Sequence, residues 1–186
     1  MRGRLGREYF EGLYAESDDP WNFESSEYER TLEALGGSRF GRALEAGASI
    51  GVFTEMLAGR CDELLAVDVS EQAVAEARKR LSGREHVRVE RRTLPEEMPD
   101  GPFDLIVASE VLYYFTRGEM LATLVAFERE LAPGGALLAV HWRRETRTYP
   151  LQGDEVHELL REHTRLQNDK TIVEQDYHLD LFEDPA

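Results

Sequence analysis

Arg42-Ala43-Leu44-Glu45-Ala46-Gly47-Ala48-Ser49-Ile50-Gly51 is the stretch on which the fold turns. Its first five residues read as a strand, and the glycine loop that follows opens a helix over Ile50 to Ala58. Glycines there allow a tight turn and let a ligand approach the free N–H groups at the helix start. Downstream, short apolar runs alternate with amphipathic stretches, the pattern of βαβ units around a parallel sheet covered on both faces. Strands are expected at Leu64–Asp68, His86–Glu90, Phe103–Ala108 and Ala136–Val140. Helices are expected from Ser70, a capping residue, to Leu81, from Gly118 to Leu131, and from Gln152 to His163. The run Ala132-Pro133-Gly134-Gly135 should stop the second of these. Two weaker strands, Arg165–Gln167 and Tyr177–Phe182, complete an α/β fold: a Rossmann-like, doubly wound, mostly parallel seven-stranded sheet with an antiparallel C-terminal edge strand.

The chain has 186 residues, which suits one domain with a short appendage. Residues 42–186 form the expected domain. Residues 1–41 carry Tyr9, Phe10, Tyr14, Trp21, Phe23 and Tyr28 and a helix from Ser25 to Leu35. This aromatic lead-in is either core covering or a lid over a ligand site. With 22 basic and 37 acidic residues the net charge is −15, so the summed field repels a phosphate backbone and a nucleic-acid partner is not expected. No apolar run approaches the roughly 20 residues of a membrane span, and no apolar stretch follows the basic start, so a cytoplasmic protein without membrane association is expected. Cys61 is the only cysteine, which excludes an internal disulfide and a thiolate cluster. His86, His163 and His178 lack the spacing of a metal site, and no metal is expected. His157, inside a polar helix, reads as structural.

The loop letters admit three readings. Gly47-Ala48-Ser49-Ile50-Gly51 spells the nucleophile elbow of α/β-hydrolases, with Ser49 attacking and Asp104 and His141 as partners, but the earlier strands that supply an oxyanion loop are missing. A dinucleotide fingerprint fails on the position of its third glycine. The third reading is an adenosyl site, in which acidic strand ends at Glu45 and Asp68 flank the glycines. Asp68 follows Gly47 at about the 20-residue distance that separates a glycine loop from a ribose-binding carboxylate.

Four spaced motifs then agree. Glu45–Gly51, Val67-Asp68-Val69-Ser70, the run Phe103–Tyr114 and Leu131-Ala132-Pro133-Gly134-Gly135 together resemble class I S-adenosylmethionine-dependent methyltransferases over nearly the whole chain. Asp19-Pro20-Trp21 upstream, and His141-Trp142, Tyr149-Pro150-Leu151 and Gly153–His157 downstream, are similar to the nodulation-type, NodS-like branch. That branch includes N-methyltransferases acting on the free amine of a deacetylated chito-oligosaccharide. The resemblance implies S-adenosylmethionine as cofactor, held by Glu45, Gly47, Ala48, Ser49, Gly51, Asp68 and Val69. It further implies Thr93 and Leu94 near the adenine, and Ser109 and Glu110 beside the methionine half. Ser49 departs from the middle glycine usual in the superfamily.

Methyl transfer from a sulfonium needs chiefly alignment and exclusion of water. The expected acceptor is a small molecule presenting a sugar amine or a hydroxyl, with N-methylation favoured. His141 ends the fifth strand on the ligand edge, where an imidazole would serve as general base or only hydrogen-bond locally. Glu110 would hold an amino group, contact the cofactor's ammonium or cap a helix. Trp21 and Tyr28 would stack on the sulfonium end or cover the acceptor, with Trp142 in the acceptor wall. A non-catalytic adenosyl-binding protein is the rival reading.

Overall fold

The computed structural model describes residues 3–17, 19–20 and 25–185. The chain runs α1 (Arg7–Glu16), α2 (Ser25–Ala34), β1 (Phe40–Ala46), α3 (Val52–Leu57), β2 (Cys61–Asp68), α4 (Glu71–Arg80), β3 (Val87–Arg91), β4 (Phe103–Ser109), α5 (Arg117–Glu130), β5 (Leu131–Trp142), α6 (Gly153–His163), β6 (Gln167–Val173) and β7 (Tyr177–Glu183). Seven strands lie in the order β3-β2-β1-β4-β5-β7-β6. The first five pair in parallel, and β7 runs antiparallel to both β5 and β6, as expected of the C-terminal edge.

The side-chain period of two sorts the strands between two cores. Leu44 and Ala46, Ile106 and Ala108, and Leu137 and Ala139 face the layer of α5 and α6, where they meet Leu124, Phe127 and Leu160. Ala43, Leu105, Val107 and Leu138 face the other way, onto Phe53 and Leu57 of α3 and Ala34 of α2. Burial on both faces is why the central strands are near-continuous apolar runs. Ser70 caps α4 by accepting the Ala73 N–H at 3.2 Å, and Arg78, Lys79 and Arg80 sit favourably at its negative end. Thr116 and Glu119 form a capping box on α5.

Three details differ from the expectation. β5 begins at Leu131, paired with Phe103, instead of after a loop at 132–135. Gly135 makes this possible, because a Cβ there would lie 2.8 Å from the Ala132 carbonyl and 2.9 Å from that of Phe103. β6 covers 167–173 rather than 165–167, since an exposed edge strand of polar residues shows almost no hydrophobic alternation. α1 was not foreseen: its N-cap, Gly6, makes no side-chain capping bond, and only Phe10 and Tyr14 are buried.

Candidate functional site

The loop after β1 is held from beneath by backbone bonds. The N–H groups of Gly47 and Ala48 both donate to the Val67 carbonyl, at 2.9 and 3.0 Å. Asp68, ending β2, clamps two segments at once: Oδ2 accepts the Ser49 N–H and Oδ1 the Ser70 N–H, each at 2.9 Å. Left-handed backbone recurs at Gly47 (φ 81°), Ser49 (φ 49°) and Gly51 (φ 79°). At Gly47 a Cβ would stand 2.8 Å from the Val111 Cβ, so the loop and the segment after β4 approach as closely as glycine allows. Ser49 holds the left-handed conformation at a cost of roughly 1 kcal/mol, and its hydroxyl hydrogen-bonds the Tyr14 hydroxyl of α1.

These elements border a cavity of about 660 Å³ at the carboxyl ends of the parallel strands. Glu45, Gly47, Ala48, Ser49, Asp68, Val69, Leu94, Ser109, Glu110 and Tyr28 all line it, so the structure brings together most residues singled out for the cofactor. Glu45 is 2% exposed, and its Oε2 has no hydrogen-bond partner among the described residues. Burial pushes its carboxyl up to about 8. Burial also raises Asp68, against the opposing N–H donors of Ser70, Ser49 and Val69.

The other half of the cavity is aromatic. Tyr113 and Tyr149 stack at 4.9 Å and 26°, Tyr114 meets Tyr149 edge-on at 4.7 Å, and the Tyr113 hydroxyl donates to Glu110. Glu110 itself takes a left-handed conformation, φ 56°. Trp142 also lines the cavity, with the Arg144 guanidinium 5.1 Å above its ring and bonded through Nε to Asp176 at 2.9 Å.

Residues 12–148 match the family model described as Nodulation protein S (NodS). The chain belongs to the NodS family. It is 35% identical to Nodulation protein S of Rhizobium tropici over 129 residues, 66% of this chain and 54% of that one. It is 38% identical to the protein of the same name from Bradyrhizobium diazoefficiens over 128 residues, 65% of this chain and 61% of that one. These matches thus span between half and two thirds of the curated relatives. Among solved structures, N-methyltransferase NodS from Bradyrhizobium japonicum WM9 in complex with S-adenosyl-L-homocysteine superposes with a TM-score of 0.85 at 27% identity, covering 97% of this chain and 98% of that one. A methyltransferase of Pseudomonas syringae, so described on its structure, is 37% identical with a TM-score of 0.76, over 86% of this chain and 97% of that one.

Several expectations for this NodS-family chain need correction. His141 does not border the cavity: it is fully buried on the α6 side of β5, its Nε2 accepts the Leu112 N–H at 3.2 Å, and its Nδ1 meets His157 Nε2 at 3.2 Å. With both nitrogens committed, it has no lone pair to offer an acceptor. The hydrolase reading fails on the same geometry, because Ser49 faces Tyr14, while Asp104 near the start of β4 accepts the Arg42 N–H at 2.8 Å. Gly51 also lies off the cavity wall, packed where a Cβ would come within 3.1 Å of the Ala77 Cβ. Thr93 likewise does not line the cavity: its hydroxyl accepts from Arg91 Nη1 at 3.1 Å and its N–H donates to Glu97 at 2.6 Å. The histidines are less scattered than their spacing implied: His157, His178 and Asp180 converge, and Arg161 Nη1 lies 3.1 Å from both His178 Nε2 and Asp180 Oδ2. The readings of Trp21 and Phe23 fall outside the described residues.

Arg4 and Leu5 were not singled out by the sequence, whereas Phe10 and Tyr14 belonged to the aromatic lead-in read as core covering or a lid. Arg4, Leu5, Phe10 and Tyr14 line the cavity. Arg4 Nη2 donates to the Leu94 carbonyl at 2.6 Å, the Leu5 N–H to the Tyr114 carbonyl at 3.0 Å, and Glu11 accepts the Glu71 N–H at 2.7 Å. Phe10 and Tyr14, four apart, carried the helical spacing that could have revealed α1; Tyr149 entered only as part of the segment Tyr149-Pro150-Leu151 that resembles the NodS-like branch, with no role of its own.

Ser49→Gly tests the Tyr14 contact. The substitution relieves left-handed strain and removes one hydrogen bond, two opposing changes of about 1 kcal/mol each. Affinity for S-adenosylhomocysteine is expected to stay within about threefold by calorimetry, while amide exchange across 7–16 accelerates. Unchanged exchange would show that Tyr14 does not hold α1 to the loop.

Proposed function

We propose that this chain is an S-adenosylmethionine-dependent N-methyltransferase of the cytoplasm, acting on the amine of a small sugar-like or specialised-metabolite acceptor. The observation that carries this reading is the buried Glu45 carboxyl, whose Oε2 meets no hydrogen-bond donor at bonding geometry among the described residues, on a cavity wall shared with Asp68. A buried acceptor without a donor is costly, and a ligand bearing an ammonium offsets that cost. S-adenosylmethionine has the matching chemistry: an ammonium for Glu45, vicinal ribose hydroxyls for Asp68, and an adenine for the apolar surface at Val69 and Leu94. When bound it supplies a methyl group activated on a sulfonium.

The chain's own work is alignment and exclusion of water. The described part of the N-terminal segment acts as a lid, with Leu5, Phe10, Tyr14 and Tyr28 on the cavity wall. Tyr113, Tyr149 and Trp142 line the part of the cavity wall that would meet the C–H surface of a sugar ring, and Glu110 holds the amine. The net charge of −15 draws cations towards the protein, which favours an amine over a neutral hydroxyl.

The test is transfer of labelled methyl to a panel of glycans with free amino groups, amino-bearing metabolites and their hydroxyl analogues, read by mass spectrometry. Amine products carrying one added methyl are expected. Tight binding of S-adenosylhomocysteine with no transfer to any acceptor would favour the non-catalytic adenosyl-binding reading, and transfer only to hydroxyls would overturn the N-methylation.

A further inference from the structure

Behind the acceptor wall lies a line of buried polar side chains that the methyl-transfer site does not use. It starts at Leu112 N–H, passes through His141 on β5 and His157 on α6, and ends on Asp180 of β7, all three side chains being fully buried. The contacts are 3.2 Å from the Leu112 nitrogen to His141 Nε2, 3.2 Å from His141 Nδ1 to His157 Nε2, and 2.8 Å from His157 Nδ1 to Asp180 Oδ2.

Hydrogen-bond chemistry allows this line one direction. A backbone amide only donates, so His141 Nε2 must be the bare nitrogen and its proton must sit on Nδ1. That proton points at His157 Nε2, which is therefore also bare, leaving the second proton on His157 Nδ1, aimed at a carboxylate that only accepts. Both ends demand the same polarity. Asp180 stays ionised because Arg161 Nη1, the Thr171 hydroxyl and the Asn168 amide also donate to it. Asp180 is accordingly held down to about 2. The remaining groups facing the line obey the same order: His178 of β7 stacks on His157 at 3.9 Å and 3°, takes the Arg161 donor on Nε2, and lies with Nδ1 3.2 Å from Asp154 Oδ1 of α6. Burial, followed by the neighbouring imidazoles, keeps His141 well below its ordinary range, so it stays neutral and is no proton carrier.

The upper end of the line carries the acceptor wall. Leu112 opens the short turn Leu112–Tyr114, whose Tyr113 stacks on Tyr149 and donates to Glu110. Val111, one residue earlier, fills the space beside Gly47. A buried amide N–H without an acceptor would favour a shifted turn, and both Tyr113 and Glu110 would move with it.

We propose that His141, His157 and Asp180 are positioning residues, a one-directional hydrogen-bond line that fixes the 110–114 turn so that Glu110 and Tyr113 face the acceptor. The proposal rests on the methyltransferase reading only for its consequence in turnover; the line itself is testable without ligand.

Nitrogen-15 NMR of the whole, ligand-free protein is expected to show both His141 and His157 protonated on Nδ1 and bare on Nε2, with no titration between about pH 5.5 and 8. A proton on His141 Nε2, or titration near its ordinary pKa of about 6.5, overturns the proposal. Two substitutions then separate positioning from general-base catalysis. His141→Gln offers an amide oxygen to the Leu112 N–H, whereas His141→Leu offers nothing. The Leu variant is expected to lose exchange protection at Leu112 and at least tenfold in kcat on an identified acceptor. The Gln variant should regain the protection and recover kcat to within about threefold. Equal loss in both variants, with disappearance of the acidic limb of the pH profile, would restore His141 as a base; a melting-temperature drop with unchanged kcat in the Leu variant would reduce it to packing. Should that variant not fold, Asp180→Asn, which keeps the volume but removes the charge, is expected to mix the His157 tautomers and lower kcat severalfold, and a single tautomer with full kcat overturns the proposal. A wild-type protein with the stated tautomers but no methyl transfer would count against the functional reading and leave the line intact.

Discussion

Asp68→Ala is expected to weaken S-adenosylhomocysteine binding by at least 100-fold in calorimetry, equivalent to about 2.7 kcal/mol. Two losses combine. The carboxylate would no longer accept the ribose hydroxyls, charge-assisted bonds worth about 1.5–3 kcal/mol each. The Ser49 and Ser70 N–H groups would also lose their acceptor, so the glycine loop and the start of α4 would no longer be tied to the end of β2. Asp68→Asn keeps one carbonyl oxygen, and an intermediate loss is expected. Thermal unfolding run alongside separates binding from folding: affinity within threefold of wild type in a folded Asp68→Ala protein would remove Asp68 from the cofactor site.

The second large effect is on pH. Glu45 is raised to about 8 in the ligand-free protein, so near pH 7 it is mostly protonated. A ligand ammonium selects the ionised form, and binding then releases a proton. Affinity for S-adenosylhomocysteine is therefore expected to rise by up to tenfold per unit between about pH 6 and 8 and to level off above. Glu45→Gln should abolish the slope and the proton release, costing little affinity at pH 6.5 and at least tenfold at pH 8.5. The sign for stability is opposite. A carboxyl raised on folding contributes stability that is full below its unfolded value of about 4.5 and is lost as pH rises through about 8. The Gln variant without ligand should accordingly melt higher than wild type at pH 8.5, the usual trade between a functional buried charge and stability. A flat pH profile in the wild type, or an unchanged slope in the variant, would show that Glu45 does not meet the ligand's charge.

The parts of this molecule that the sequence made legible are governed by short-range rules. Strand β1 and the loop after it declare themselves through an apolar run broken by Gly47 and Gly51, since left-handed backbone is cheap only for glycine. Ser70 acts within three residues of itself, on the Ala73 N–H, and Asp68 on the Ser70 N–H two residues on, so these local roles are written in the sequence order, while the Asp68 contact to the Ser49 N–H, 19 residues back, is not. The doubly wound, mostly parallel class of the sheet followed from the βαβ alternation, because right-handed crossovers leave few alternatives.

What only the tertiary structure decided are contacts between residues far apart in the chain. Tyr14 reaches Ser49 across 35 positions, and α1 escaped notice because an uncapped helix with two buried aromatics has no start signal. Tyr149, in the turn after β5, stacks on Tyr113 only once β4 and β5 are paired. His141 is the sharpest case. Its place at the ligand end of β5 was readable, but a strand residue has two faces, and the pairing with β7 and the cover of α6 turned its imidazole away from the cavity and onto His157, 16 residues on. Periodicity tells which residues share a face; which neighbour a polar side chain finds there depends on loop closures that bring distant segments together, and no local propensity encodes that choice.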